Sequence, residues 1–382
     1  MHARTEQRAM PAMDAGAAVA VTGASGYLGS HLVLTLLQRG HIVHACVRDT
    51  ADEAKVGFLR RLPGAGEQLK LFSCDMTVPG AYDSAFSGVH AVFHPAAVVG
   101  LFAEDPKRDI YLPAMAGNRE LVASIERSQS VRRLVYTSST ASLKDCDLDA
   151  IKAELKRPDY LFKVDESRLP DPTNSKYTYE IMAYHRSKVD SERMFRDAAV
   201  QGGGRWDLVV GAPADILGPI LSPLHAHSGW QSRLGMLMQG NEAAATVEPW
   251  TWFTVDVRDC AAAQVELALD PHIRPFTHAD GGKYLLCSTD RIYVTEIAEM
   301  AQRLYPQTAV ATEVAPKDSN PSYMFQSKAD DLVRYSMMMD NRKVCAAVNM
   351  RFRTLEETVR DTIEALVKVG GLVLQPREPA RL

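Results

Sequence analysis

Apolar residues along this chain gather in short runs separated by polar or helix-patterned stretches, and those runs set the expected architecture. Residues 17–21, 41–47 (HIVHACV), 69–73 followed by Cys74, and 91–94 (AVFH) each read as a buried strand. RRLVYTSS at 132–139 and WDLVVGAP at 206–213 add a fifth and a sixth. After the first run, Leu28, Leu32, Leu36 and Leu37 recur at helical spacing, which predicts a helix with one leucine face against the sheet. Buried strands alternating with helices specify an α/β fold, a Rossmann-like doubly wound parallel sheet with crossovers on both faces. Beyond Gly218-Pro219 the alternation weakens: residues 224–240 and 292–306 read as loops and helices, with a short strand at 283–287. The expected organisation is a loose extension over 1–16, a dinucleotide-binding Rossmann domain over 17–218, and over 219–382 a smaller C-terminal substrate lobe interleaved with the first domain.

Gly23, Gly26 and Gly29, three apart in VAVTGASGYLGSH (19–31), stand where the first strand gives way to the leucine-faced helix. Glycine lets a ligand approach the main chain closely, and the first amides of a helix lack partners, so this turn suits a phosphate. A nucleoside-triphosphate loop would end in Gly-Lys, which is missing here; the dinucleotide reading remains, against that of a merely glycine-rich turn. The spacing is GxxGxxG, with Ala24 in the second position. A pyrophosphate is expected on the amides around Ser25, Gly26, Tyr27 and Leu28.

Ligands of such sheets bind beyond the carboxyl ends of the strands. That rule collects Gly23, Arg48, Asp75 with Met76, Ala96 with Ala97, Ser138 with Ser139, and Pro213 around one crevice. At the second strand an NAD site usually presents an acid to the ribose hydroxyls. Here Arg48 comes first, and its planar guanidinium, with Lys55 seven residues on, suits the 2'-phosphate of NADP(H). The other reading makes Arg48 and Lys55 surface charges and gives the ribose to Asp49. Asp75 or its neighbouring amide is expected at the adenine, or else as a turn aspartate.

Hydride delivery to a carbonyl leaves an alkoxide that needs a proton donor and hydrogen bonds. YHRSK places Tyr184 and Lys188 at i and i+4 on one helix face, where the ammonium is expected to lower the phenol's pKa. Ser139 at the end of the fifth strand is the candidate to hold the substrate oxygen, with Ser138 and Thr140 as rivals and a backbone-capping role as the plainer alternative. Val98, Leu101, Phe102, Tyr177, Ile216, Leu217 and Trp230 are the candidate substrate-pocket residues, and their character suits a hydrophobic or aromatic carbonyl compound.

Composition narrows the classes. With 382 residues and 46% hydrophobic content the chain can bury a large core, and a net charge of -4 without a basic run argues against nucleic acid or an anionic membrane as partner. Six cysteines are scattered without a CxxC pair, and the His225/His227 pair lacks acidic or cysteine companions, so no metal is assigned. The first 16 residues lack the apolar core of a secretory signal and carry two arginines; cytoplasm is the expected location, with organelle targeting as the alternative.

Taken together, TGASGYLGSHL, VRD (47–49), CDMT (74–77), VFHPAA (92–97), YTSS (136–139), YHRSK (184–188) and APADILGP (212–219) resemble the extended short-chain dehydrogenase/reductases. Within them the pattern is most similar to the NADPH-dependent branch of dihydroflavonol reductases, cinnamoyl-CoA reductases and carbonyl reductases. The likeness runs from about residue 17 to about residue 372. It implies catalysis by Ser139, Tyr184 and Lys188, a 2'-phosphate at Arg48 and Lys55, and Ala96 and Pro213 near the cofactor. Two features depart from the pattern: a charged insertion, DCDLDAIKAELKRPDYLFKVDES, between Ser139 and Tyr184, and Gly117-Asn118 where the branch often has Gly-Thr. The resulting expectation is an NADPH-dependent reductase of an aldehyde or ketone, a monomer or homodimer with a small-molecule carbonyl substrate. Rival readings are an NAD-dependent hydroxysteroid dehydrogenase or nucleotide-sugar epimerase on the same fold, and a non-enzymatic NADP-sensing protein.

Overall fold

The computed structural model describes Met13 and residues 16–97, 103–143, 162–167, 179–227, 229–240, 251–276, 281–288, 292–311 and 337–377. Its main sheet comprises β1 (Ala18–Thr22), β2 (Ile42–Val47), β3 (Leu69–Ser73), β4 (Ala91–His94), β5 (Arg133–Thr137), β6 (Asp207–Pro213) and β7 (Lys283–Leu286). The strands lie in the order β7-β6-β5-β4-β1-β2-β3, every pair parallel. β1 sits between β2 and β4, so the order reverses there and opens a crevice above its carboxyl end. The apolar runs of the sequence became these strands because both faces are covered: every residue of β4 and of β5 is buried.

The helices used below are α1 (Tyr27–Gln38), α2 (Glu53–Arg60), α3 (Leu112–Ser128), α4 (Tyr179–Gln201), α5 (Gly229–Leu237), α6 (Val257–Leu269), α7 (Val294–Leu304) and α8 (Leu355–Lys368). Strand alternation divides the core in two. Val19, Val21 and Val135 point to the face covered by Leu32 and Leu36 of α1 and Val265 of α6. Ala20, Leu134 and Val210 point to the face covered by Leu121 and Ile125 of α3 and Phe195 of α4. Arg133, buried at the start of β5, pairs with Asp207 at 2.8 Å and donates to the carbonyls of Leu267, Ala268 and Asp270. A cation thereby caps the carboxyl end of α6 and fixes it on the sheet.

A further apolar cluster joins α5, α7 and α8 through Leu234, Leu237, Ile297, Ala301, Val359 and Ile363. Asp256 attaches it to the sheet side: this carboxylate caps α6 at the Arg258 amide (2.8 Å) and accepts from Thr358 of α8 (3.0 Å), while Arg258 pairs with Asp361 at 2.6 Å. β7, from beyond residue 218, forms one edge of the main sheet.

The fifth strand ends at Thr137, two residues short of the apolar run that predicted it. Ser139 takes an extended conformation and its hydroxyl accepts from the Ala141 amide at 3.1 Å, capping a short turn at Thr140–Ser142. This local bond competes with the ladder and takes Ser139 out of it, while the Ser138 amide still donates to the Gly211 carbonyl of β6 at 2.7 Å. Most of the 1–16 extension and of the 145–167 insertion lies outside the described residues. From the insertion's end, Phe162–Val164 pairs with Met337–Met339, and the Glu166 carboxylate accepts from the Leu285 amide of β7 at 2.7 Å.

Candidate functional site

The glycine-rich turn is shaped by close approach. Gly23 has φ +58°, and a Cβ added there would stand 3.2 Å from the Ala96 Cβ, while one at Gly29 would lie 2.2 Å from the Gly23 carbonyl oxygen. α1 can therefore start hard against β1 only with glycine at those positions. Its N-cap, Gly26, makes no side-chain bond, and its first turn carries no acidic residue. Helix amides left this way suit an anion, and the backbone from Ser25 to Leu28 fits a dinucleotide's pyrophosphate. Tyr27 contributes main chain to this turn; its phenol donates to the Gly218 carbonyl at 2.7 Å. His225 Nε2 donates to the Ser25 carbonyl at 3.1 Å, and its ring meets Tyr27 and Phe58 edge-on. Contact with a turn 200 residues away leaves no local signal in the chain around His225.

At the adenosine end, Asp49 accepts from the Ala51 amide at 2.9 Å, and Asp75 accepts from the Thr77 amide (2.9 Å) and hydroxyl (2.7 Å). The Thr77 bonds hold the Asp75 carboxyl below the usual range, with Arg48 adding a smaller pull. The Asp75 side chain thus serves a turn, the plainer of its two expected roles. Arg48 is exposed, and Lys55 opens α2 paired with Asp52 at 2.8 Å. Met76 packs against Gly117, where an added Cβ would stand 2.5 Å from its Cε.

A small cavity runs from Met76, Ala96 and Ala97 to Asn118, Tyr136 and Lys188. Lys188 is buried; its Nζ donates to the Thr137 carbonyl at 2.9 Å and stands 5.1 Å from the Tyr136 ring centre and 5.7 Å from that of Tyr184. Burial lowers its pKa to about 8, and the Glu192 carboxylate works against that fall. The Ser139 hydroxyl lies near enough to the Tyr184 phenol to act on its pKa. That pKa is raised, not lowered as the i+4 spacing suggested: burial dominates, the nearby Ser139 hydroxyl opposes it, and Asp215 adds to the rise. The ammonium that was to depress the phenol is directed at the Thr137 carbonyl instead.

Among the three candidate hydroxyls, Ser139 is the one that acts on the phenol's pKa. Ser138 donates to Glu192, with the Ser142 hydroxyl 3.1 Å away, and both Ser138 and Thr140 are buried. Pro213 ends β6, buried. Of the pocket candidates, Val98, Leu101, Phe102 and Tyr177 lie outside the described residues. Leu217 is fully buried in the α5/α7/α8 cluster, so the structure makes it core and not pocket wall. Ile216 is partly buried, its carbonyl accepting from Gln231 at 3.1 Å, and Trp230 carries the Arg233 guanidinium 4.8 Å from its ring centre. Among the described residues no cluster of His, Cys, Asp or Glu could hold a metal, and no helix is long and apolar enough to cross a membrane.

The NAD dependent epimerase/dehydratase family model matches residues 19–265. Dihydroflavonol 4-reductase of Callistephus chinensis is 30% identical over 327 residues, covering 82% of this chain and 80% of that protein. Cinnamoyl-CoA reductase CAD2 of Medicago truncatula is 29% identical over 361 residues, covering 94% and 98%. Among solved structures, yeast methylglyoxal/isovaleraldehyde reductase Gre2 complexed with NADPH superposes with a TM-score of 0.72 at 21% identity, covering 93% of this chain and 100% of that one.

Proposed function

Because the chain belongs to the NAD dependent epimerase/dehydratase family, the extended short-chain dehydrogenase/reductases, we propose that it reduces an aldehyde or ketone with NADPH. The observation that carries this reading is the Lys188 ammonium 5.7 Å from the Tyr184 ring, beside the cavity lined by Ala96 and Lys188, with the Ser139 hydroxyl near enough to the phenol to act on its pKa. The substrate class follows from relatives named for reduction of dihydroflavonol, cinnamoyl-CoA and aldehydes, and from the partly exposed Ile216 and Trp230.

When bound, NADPH supplies the hydride. The backbone of Ser25 to Leu28 binds its pyrophosphate, Arg48 and Lys55 its 2'-phosphate, and Met76, Ala96, Ala97 and Pro213 flank it. Asp49's engagement with the Ala51 amide supports NADPH over NADH, since that carboxylate is the one an NAD site would use. Ser139 Oγ holds the substrate oxygen and Tyr184 Oη gives it a proton. Burial keeps the Tyr184 phenol protonated at neutral pH, so the proton is present to be given, while making it a weaker acid. Lys188 places a positive charge near the oxygen that becomes negative, and meets the nicotinamide ribose.

The test is NADPH consumption by the purified protein against aromatic aldehydes, acyl-CoA thioesters, flavonoid ketones and steroid ketones. Tyr184→Phe is expected to lower kcat by about 10² to 10⁴, the usual contribution of a positioned acid, with the Kd for NADPH unchanged. Turnover by the Phe variant at the parent's rate refutes the assignment.

A further inference from the structure

Beneath the proposed reacting centre lies a buried ion pair that the proton-transfer scheme does not use. Tyr184, Lys188 and Glu192 follow one another at four-residue intervals along α4, and so share a face. Glu192 and Lys283 of β7 are both almost completely buried, with Oε2 accepting from Nζ at 2.7 Å. Oε1 accepts from the Ser138 hydroxyl. Lys283 Nζ also donates to the Ser142 carbonyl at 3.2 Å, and the Ser142 hydroxyl and amide both donate to the Ser139 carbonyl, at 2.8 and 2.9 Å. Each of these bonds closes on the loop that carries Ser139. A buried ion pair pays a large desolvation penalty and is weak evidence for stability, so stability alone does not explain one at this place.

We propose that Glu192 is a positioning residue, whose carboxylate locks the 138–142 loop, and with it Ser139, to the helix carrying Tyr184 and Lys188 and balances the Lys188 charge. This deepens the reductase reading and rests on it. Lys188 is faced by the Tyr184 phenol and Glu192 from its own helix, the Tyr136 ring from β5, and the neutral His94 of β4; Glu192 is the anion whose field reaches it, with the Lys283 cation beyond. Removing the Glu192 charge strands Lys283 and lets burial act on Lys188 unopposed, so Lys188 gives up its proton at lower pH.

The experiment compares the parent, Glu192→Gln, Ser138→Ala, and the double variant Glu192→Gln/Lys283→Met, in which no stranded cation remains. Thermal melts report folding, NADPH-dependent reduction from pH 6 to 10 reports kcat and KM, and ¹³C NMR of labelled lysine, assigned with Lys188→Met, reports the Lys188 titration without turnover. The double variant is expected to melt near the parent. Its alkaline limb of kcat and its Lys188 titration should move about one pH unit lower, roughly a tenfold loss of kcat on that limb, with KM for NADPH unchanged. Ser138→Ala should lower kcat without moving the limb. A folded double variant with the parent's limb and the parent's Lys188 titration overturns the proposal. A parent that reduces nothing in the panel refutes the reductase reading instead, and the NMR titration then still decides the role of Glu192.

Discussion

Arg48 and Asp49 are neighbours, yet the structure gives them different duties. The Asp49 carboxylate accepts from the Ala51 amide, whereas Arg48 is exposed at the end of β2 with its charge acting on Asp75. Charge-assisted hydrogen bonds contribute about 1.5–3 kcal/mol, so Arg48→Ala should weaken NADPH binding about ten- to a hundredfold and leave NADH binding nearly unchanged. Titrating the fluorescence of each reduced cofactor measures both. An equal loss for the two would return Arg48 to an ordinary surface charge. Side-chain identity and strand-end position are what single this residue out in the chain as a candidate. Asn118 was not legible in the same way: it departs from the branch's Gly-Thr, and its role appears only once β4, α3 and α4 meet. His94 Nδ1 accepts from the Thr22 hydroxyl at 2.7 Å, its Nε2 donates to Asn118 Oδ1 at 3.0 Å, and Asn118 Nδ2 donates to Ser191 at 2.7 Å. A side chain with both a donor and an acceptor can span that gap between layers; a threonine hydroxyl is shorter.

At the level of the element, two glycines in helices make opposite predictions. Gly29 lies in α1 where an added Cβ meets the Gly23 carbonyl, so Gly29→Ala should cost at least about 1–3 kcal/mol of stability and loosen the nucleotide turn. Gly235 lies inside α5, where an added Cβ meets nothing within 4 Å, and Gly235→Ala should gain about 0.5–1 kcal/mol. Urea unfolding of the two variants checks both signs. The same contrast explains what could be read of the elements. Parallel strands buried on both faces leave nearly unbroken apolar runs, so β1, β2 and β4 to β6 stand out within one or two residues of their ends. The fifth run ends in serines between Thr137 and Thr140, and nothing local tells that Ser139 leaves the ladder to cap its own turn. The run at 283–287 was visible as a strand, but its pairing with β6 at Lys283↔Val210 depends on a partner more than 70 residues away.

For the molecule as a whole, the nucleotide turn and the segment after β6 are joined by buried polar contacts. Tyr27 donates to Gly218, His31 Nε2 donates to Pro219 at 2.9 Å, and His225 donates to Ser25. His31 here and His94 between the layers are both buried, and burial lowers the pKa of each to about 4, against the weaker opposing effect of their hydrogen bonds. An unfolded histidine titrates near 6.5, so between pH 6.5 and 4 the unfolded chain binds more protons than the folded one. Stability therefore falls as pH drops through that window and is steady, as far as these groups go, above it. From pH 7 to pH 5 each histidine should remove about 2 kcal/mol, roughly 4 kcal/mol for the pair. His44 and His225 are displaced in the same direction. Urea unfolding at the two pH values measures the loss, and His94→Gln, which keeps an amide between Thr22 and Asn118, should reduce it by about 2 kcal/mol. A loss as large in that variant as in the parent would mean that the acid sensitivity lies in other groups, since the buried imidazole is the part of the network that the substitution removes.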